Sequence, residues 1–281
     1  MTAKGPFPDF GKRFTSDRDA VDVWDDLWKD AVTPWDRGCH NPALEEALVN
    51  RQDILGTAIE HMEDGTIRRK KALVPGCGRG VDVFLFASFG YDAYGLEYSI
   101  TALGVCEEET KKYIDSDGKI PAKDKTVGSG GVKFLQGDFF TDGWLKDAGL
   151  EEGGFDLIYD YTFFCALNPS FRPKWALRHY QLLAPSPRGN LLCLEFPTNK
   201  EPSSSGPPFA STSAMYMEHL SHPGEEVPYN TDGHVKVDPA KQPSEKSFER
   251  VAHWHPEKTH KMLMGEDGKH YDWVSIWRRR N

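Results

Sequence analysis

An α/β protein built on a mostly parallel sheet is what these 281 residues predict. Short apolar runs alternate with stretches of helical spacing from Lys71 to Phe196, the pattern of βαβ units with helices on both faces of a sheet. A glycine-rich turn, Pro75-Gly-Cys-Gly-Arg-Gly80, stands between the first such run and the first such helix. The last two apolar runs lie too close for a helical crossover, which predicts at least one antiparallel strand near the C-terminus.

Two amphipathic helices are expected first, at Asp19–Ala31 and Pro42–Asn50. They precede the sheet, so residues 1–65 should form a helical cover within the same domain as residues 66–281. Lys71–Cys77 reads as the first strand, stopped by Pro and Gly. Val81–Phe89 follows with apolar residues at helical spacing. Asp92–Ser99 is the second strand, and Ser99 can cap a helix to about Tyr113 with Glu107, Glu108 and Glu109 mostly on its wet side. Val132–Asp138 and Phe155–Asp160 are the third and fourth strands. Pro173–Leu183 is a helix with proline at its start, and Gly189–Phe196 is the fifth strand. Phe248–His255 and Trp273–Arg278 complete the set, joined through a turn at Gly265–Gly268. The Pro- and Gly-rich stretches at 119–131 and 202–247 read as insertions in one domain.

Composition removes several classes of function. Lys+Arg is 34 against 43 Asp+Glu, a formal charge of −9, which repels phosphate backbones and argues against nucleic acid as a partner. Mean hydropathy is −0.58, and no apolar run approaches the ~20 residues that cross a bilayer. Met1–Phe14 lacks the apolar core of a secretory signal, and Arg278–Asn281 matches no lipidation or retention signal. The five cysteines are scattered, odd in number and without a C-x-x-C pair, so neither a disulfide framework nor a metal site is expected. A monomer of the reducing cytoplasm fits these features. His253, His255, His260 and His270 lie near one another without an acid or cysteine at metal spacing, and an exposed edge is the simpler reading.

The residues with chemistry cluster where strands end. In the glycine turn the spacing is G-x-G-x-G rather than the G-x-G-x-x-G of dinucleotide folds. The shorter form offers fewer aligned amides to a pyrophosphate and better suits the carboxypropyl end of an amino-acid-bearing nucleoside. A bare strand–helix turn is the competing reading. Glu97, at the end of the second strand, can accept both hydroxyls of a ribose. Asp138 and Phe139, after the third strand, could hold an adenine amine and pack on its ring. Three consecutive strands placing such groups at one edge are more specific than any one of them, because that edge is where ligands bind in open α/β sheets. After the fourth strand, Asp160-Tyr161-Thr162-Phe163-Phe-Cys-Ala-Leu-Asn-Pro169 faces the reacting end of such a ligand, the competing reading being a loop whose aromatics only fill the core. Amine methylases often carry an Asn/Asp-Pro-Pro-aromatic turn there. Tyr161 and Thr162 replace the prolines, which argues against an amine or nucleobase acceptor. Trp24 and Trp28 share one helix face, and Thr33-Pro-Trp35-Asp36 brings a third indole through a rigid turn. Core packing would explain them, but aromatic faces also attract cations, and a sulfonium is one.

Trp24…Trp28…Thr33-Pro-Trp-Asp36, Leu73-Val-Pro-Gly-Cys-Gly78, Gly95-Leu-Glu-Tyr-Ser99 and Phe155–Ala166 with Arg172-Pro-x-x-Trp175 together resemble the thiopurine S-methyltransferase superfamily, in its plant and fungal thiol/halide methyltransferase branch. The likeness runs from about Trp24 to Phe209 and resumes faintly at Trp273–Arg279. It implies a Rossmann-like class I methyltransferase fold with a seven-stranded sheet. By position it places S-adenosyl-L-methionine contacts on Trp24, Trp28, Trp35, Gly76, Gly78, Glu97, Asp138, Phe139 and Tyr161. The branch usually has Asp where this chain has Glu97, and shorter segments before the third strand and before the last two. The implied reaction is methyl transfer to a small-molecule thiol or halide by in-line displacement. Such nucleophiles demand little base catalysis, so alignment and exclusion of water supply most of the acceleration. Tyr161 and Asp160 are the residues expected nearest the transfer path, for orientation more than for proton handling. No metal is expected. A small-metabolite O-methyltransferase and a non-catalytic cofactor-binding subunit of a regulatory complex are the alternatives. An NAD-dependent reductase is opposed by the glycine spacing.

Overall fold

A computed structural model describes residues 13–14, 20–260 and 270–280. The helices are α1 (Ala20–Lys29), α2 (Pro42–Asn50), α3 (Gln52–Leu55), α4 (Val81–Ser88), α5 (Ile100–Tyr113), α6 (Gly143–Ala148), α7 (Arg172–Leu182) and α8 (Ser213–Ser221). The strands are β1 (Ile59–His61), β2 (Ile67–Arg69), β3 (Lys71–Pro75), β4 (Asp92–Glu97), β5 (Val132–Gln136), β6 (Leu157–Tyr161), β7 (Asn190–Glu195), β8 (Phe248–Trp254) and β9 (Trp273–Arg279).

Seven strands form one sheet in the order β5-β4-β3-β6-β7-β9-β8. β9 runs antiparallel to β7 and β8, while β5, β4, β3, β6 and β7 are mutually parallel. Side chains alternate across the sheet, as the two-residue period of a strand requires. Leu73, Ile158, Leu191, Cys193 and Trp277 pack on one face with Trp144 of α6, Trp175 of α7 and Tyr216 of α8. Ala72, Val74, Leu157, Tyr159, Leu192, Leu194 and Ile276 pack on the other with α4 and with Ala43, Leu44, Ala47 and Leu48 of α2. The seven strands expected from the apolar runs are all present.

Several features differ from expectation. Residues 59–69 form a small antiparallel hairpin, β1–β2, turning at Asp64-Gly65. The basic run that follows is structural. Arg68 donates to Glu60 and to the wholly buried Asp156, and Lys70 donates to the Leu55 carbonyl. α6 and α8 were not anticipated either, and the turn-rich stretch after α8 sends Val227 and Val235 into the core. Glu109 is buried rather than wet, because Arg79 and Lys112 neutralise it. The histidine edge is not simply exposed: His253 and His255 both pack on the Trp273 ring, and His260 is buried. All five cysteines are free, and no group of three His, Cys, Asp or Glu among the described residues could hold a metal ion. The expected turn at Gly265–Gly268 and the expected helix start at Asp19 lie outside the described residues.

Candidate active site

β3 and β6 are neighbours in the sheet, and the chain leaves them in opposite directions, to β4 and to β7. This is the switch point at which open α/β sheets form a crevice beyond their carboxyl ends. A cavity of about 640 Å³ lies there.

Its floor is the glycine turn after β3. Gly76 and Gly78 have φ of +59° and +52°, a region that costs an L-residue roughly 1–2 kcal/mol. A Cβ on Gly76 would stand 2.6 Å from the Phe163 ring, and one on Gly78 would stand 3.2 Å from the Trp28 indole. Glycine is therefore required on both counts, and its absent side chains are what leave the space open. Glu97, at the end of β4, joins the floor. One carboxylate oxygen accepts from the Gly78 amide at 3.0 Å and the other from the Ser99 amide at 3.0 Å. Burial pushes its pKa up, and these backbone hydrogen bonds oppose the rise. Asp138 follows β5 and accepts from the Phe140 amide at 2.9 Å, while the Phe139 ring packs edge-on against Phe163.

The roof is aromatic. Trp35 meets Trp24 edge-to-face at a centroid distance of 4.9 Å and Trp28 at 6.0 Å. Interlocked indoles of this kind hold one another in fixed orientation. Trp24, Trp28, Trp35, Gly76, Gly78, Glu97, Asp138, Phe139 and Tyr161, nine residues from six separate stretches of chain, all line this cavity.

Asp160 does not join them. It is wholly buried beneath the turn, where it accepts from the Trp175 indole at 2.7 Å and the Phe164 amide at 3.1 Å. Burial pushes its pKa up to about 6. It braces the turn after β6 and pins α7 to it, because a buried carboxylate takes the donors nearest to it. On that turn Thr162 has φ of +60°, and its hydroxyl donates to the Tyr161 carbonyl at 2.6 Å. The Tyr161 ring lines the cavity with Phe196 and His260 as aromatic neighbours. Burial pushes the Tyr161 phenol far above its ordinary range, so it stays protonated and can donate a hydrogen bond but cannot serve as a base. The Cys165 thiol lines the same wall and is pushed up to about 12 by burial, which keeps it from acting as a nucleophile. Burial lowers His260 to about 4, so its imidazole is neutral near pH 7.

Phe163 and Cys165 belong to the stretch expected at the reacting end and line the cavity, whereas sequence reasoning overlooked Arg37, Phe171, Phe196, Pro207 and Pro208. Arg37 was adjacent to the rigid Thr33–Asp36 turn and could have been flagged from it. Phe196, Pro207 and Pro208 carry no local signal, since only the tertiary fold brings them to the cavity. Arg37 is the one cation among the described residues that line it.

Comparison with known proteins converges on the same chemistry. The family model described as thiopurine S-methyltransferase matches residues 19–257. Probable thiol methyltransferase 2 of Arabidopsis thaliana is 34% identical over 84% of this chain and 85% of its own length. Thiocyanate methyltransferase 1 of Brassica oleracea is 33% identical over 74% of this chain and 77% of its own. Among solved structures, 1,6-didemethyltoxoflavin-N1-methyltransferase of Burkholderia thailandensis, with 1,6-didemethyltoxoflavin and S-adenosylhomocysteine bound, superposes with a TM-score of 0.55 at 13% identity, covering 93% of this chain and 87% of that one. That last likeness is one of fold.

Proposed function

The chain belongs to the thiopurine S-methyltransferase family, and on that premise we propose that it methylates the sulfur of a small-molecule thiol, using S-adenosyl-L-methionine held in the switch-point cavity. The observation that carries this reading is the convergence of a side-chain-free glycine floor, a strand-end carboxylate and a three-indole roof on one cavity. The donor set fits the cofactor part by part. Glu97 suits ribose hydroxyls, Asp138 and Phe139 suit an adenine, Gly76 and Gly78 leave room for the amino-acid arm, and the indole faces suit a sulfonium cation.

When bound, S-adenosyl-L-methionine supplies an activated methyl group, and S-adenosylhomocysteine is the by-product of transfer to the acceptor sulfur. The protein orients, encloses and desolvates. Trp24, Trp28 and Trp35 close the cavity from above and exclude water. Tyr161 offers a protonated hydroxyl at the acceptor end. The lining carboxylates Glu97 and Asp138 are taken up by the nucleoside and the Tyr161 phenol stays protonated, so on this reading the acceptor enters as an anion. Arg37 in the cavity wall favours such a charge. The same argument admits thiocyanate or a halide, which need no deprotonation.

The reading extends to the whole protein. Residues 66–281 form one cofactor-binding domain with 1–65 as its cover, working as a cytoplasmic monomer without nucleic acid or membrane. The free cysteines and the net charge of −9 support this. No helix among the described residues is long and apolar enough to cross a membrane. Incubation with methyl-labelled cofactor and a panel of thiols, thiocyanate, iodide, a phenol and an amine tests the reaction. Label should appear on sulfur or halogen; label on the phenol or amine alone overturns the acceptor assignment.

A further inference from the structure

The three roof indoles sit on two pieces of chain, α1 and the turn at 33–36, and each piece is tied by one aspartate to the floor beneath it. Arg79 stands in the floor between Gly78 and Gly80 and sends its guanidinium to the roof. Its Nε donates to Asp36 Oδ2 at 2.8 Å, a second nitrogen reaches the same oxygen, and a third donates to Glu109 at 2.7 Å. Asp36 directly follows Trp35, and its side chain is only 8% exposed. The other tie is made by Asp25, between Trp24 and Trp28 in α1. It accepts from the Ser99 hydroxyl at 2.6 Å and from the Thr101 amide at 3.1 Å, at the N-terminus of α5. Ser99 in turn donates its amide to Glu97, whose other oxygen holds the Gly78 amide.

One tie therefore ends on Arg79, next to Gly78, and the other on Ser99, which bonds to Glu97. They join segments 43 and 74 residues apart in sequence, so they set how roof and floor face each other rather than stiffening either one alone. An isolated surface ion pair contributes little. Charge-assisted bonds from the nearly buried Asp36 to two nitrogens of one guanidinium, and from the partly buried Asp25 to a hydroxyl and an amide together, fix direction as well as distance. The Trp28 indole stands about as close to Gly78 as a side chain there would allow, so even a small drift of the roof would change the fit of anything held between them.

We propose that Asp25 and Asp36 are positioning residues for S-adenosyl-L-methionine, which lock the indole roof over the glycine floor without touching the acceptor. This rests on reading the cavity as the cofactor site. The test uses Asp25→Asn and Asp36→Asn, each isosteric, with Asp36→Glu as a conservative variant and Glu97→Ala as a control on the site itself. Cofactor affinity is read by calorimetry, kcat and both KM values by steady-state turnover, and the melting temperature by calorimetric scan. Each Asn variant should raise Kd and KM for the cofactor about tenfold, with acceptor KM within about twofold of the parent. Asp36→Glu should recover part of the loss. Wild-type cofactor affinity in both Asn variants, with affinity lost in Glu97→Ala, overturns the latch alone. A fall in kcat matching the fall in melting temperature, with KM unmoved, also overturns it, since that is the mark of a general folding role. Unchanged affinity in Glu97→Ala overturns the reading of the cavity and the latch with it.

Discussion

Tyr161 shows how far a single residue can be assigned from its surroundings. Burial holds its phenol protonated well beyond neutral pH, so it cannot take a proton from an acceptor thiol. General base catalysis is worth about 10²–10⁴-fold in rate, whereas one neutral hydrogen bond is worth only about 0.5–1.5 kcal/mol. Tyr161→Phe should accordingly lower kcat by less than about tenfold and leave the pH profile of kcat in place. A loss of 10²-fold or more, with a missing ionisation in the profile, would make Tyr161 a proton-transfer residue after all. Gly76 is the opposite case, a position where no side chain is admissible. Its φ of +59° and the Phe163 ring 2.6 Å from a virtual Cβ act together. Gly76→Ala should weaken cofactor binding at least about tenfold, and adding Phe163→Leu should recover only the part due to the clash. Full recovery in the double variant would mean that the backbone conformation is dispensable.

At the scale of elements, Asp160 belongs to the fold of the site rather than to its chemistry. It joins the turn after β6 to α7 through the Phe164 amide and the Trp175 indole. In Asp160→Asn one of these donors would face an amide N–H instead of an oxygen, and a buried unsatisfied donor costs about 1–3 kcal/mol. The expected result is a lower melting temperature with cofactor Kd unchanged. A tenfold change in Kd at constant melting temperature would return Asp160 to the transfer path. The sequence made the catalytic expectation natural, because Asp160 and Tyr161 are adjacent. Alternation along a strand nevertheless sends neighbouring side chains to opposite sides, and only one of the two faces the cavity. The same local logic explains what was legible. Each of the seven sheet strands is a short apolar run ending at a turn residue, and each floor residue sits where such a run stops. The hairpin β1–β2 was missed because three-residue strands carry no alternation, although Asp64-Gly65 is a hairpin signal. α8 was missed because it lies between two turn-rich stretches that drew attention away from Met215, Tyr216 and Leu220. Phe196, Pro207 and Pro208 reach the cavity only through tertiary structure, which no local pattern encodes, whereas Arg37 was within reach of the Thr33–Asp36 turn.

Across the whole molecule, buried titratable groups set the pH range in which the protein is stable. Burial lowers His179 and His219 to about 3 and His260 to about 4, from an ordinary 6.5. Below pH 6.5 the unfolded chain binds protons at these sites and the folded chain does not, so each imidazole removes up to about 1.4 kcal/mol of stability per pH unit as the pH falls toward its folded value. Four carboxyls act in the other direction. Burial raises Asp82 and Asp160 to about 6 from an ordinary 3.8 and raises Glu97 and Asp272 as well, so over these intervals the folded chain holds protons that the unfolded chain has released, and stability rises on acidification. The imidazoles act as soon as the pH falls below 6.5, whereas Asp82 and Asp160 exert their effect only below about pH 6. Asp25 and Glu109 have lowered pKa values through their cation and hydroxyl partners. They contribute stability above the ordinary carboxylate range that is lost as the pH falls through it, and with it goes part of the connection between roof and floor. Stability should thus decline as the pH falls from 6.5 toward 6, where the imidazoles are least opposed, and fall again near pH 4 as the partnered carboxylates protonate. Melting temperatures measured at constant ionic strength from pH 8 to pH 4 read this directly. His179→Gln should flatten the decline between pH 6.5 and 6, because one proton-binding difference is gone, even if the variant is less stable throughout. A melting temperature that rises from pH 6.5 to 6, or an unaltered slope in that variant, would mean that the buried imidazoles are reached by solvent and carry no such linkage.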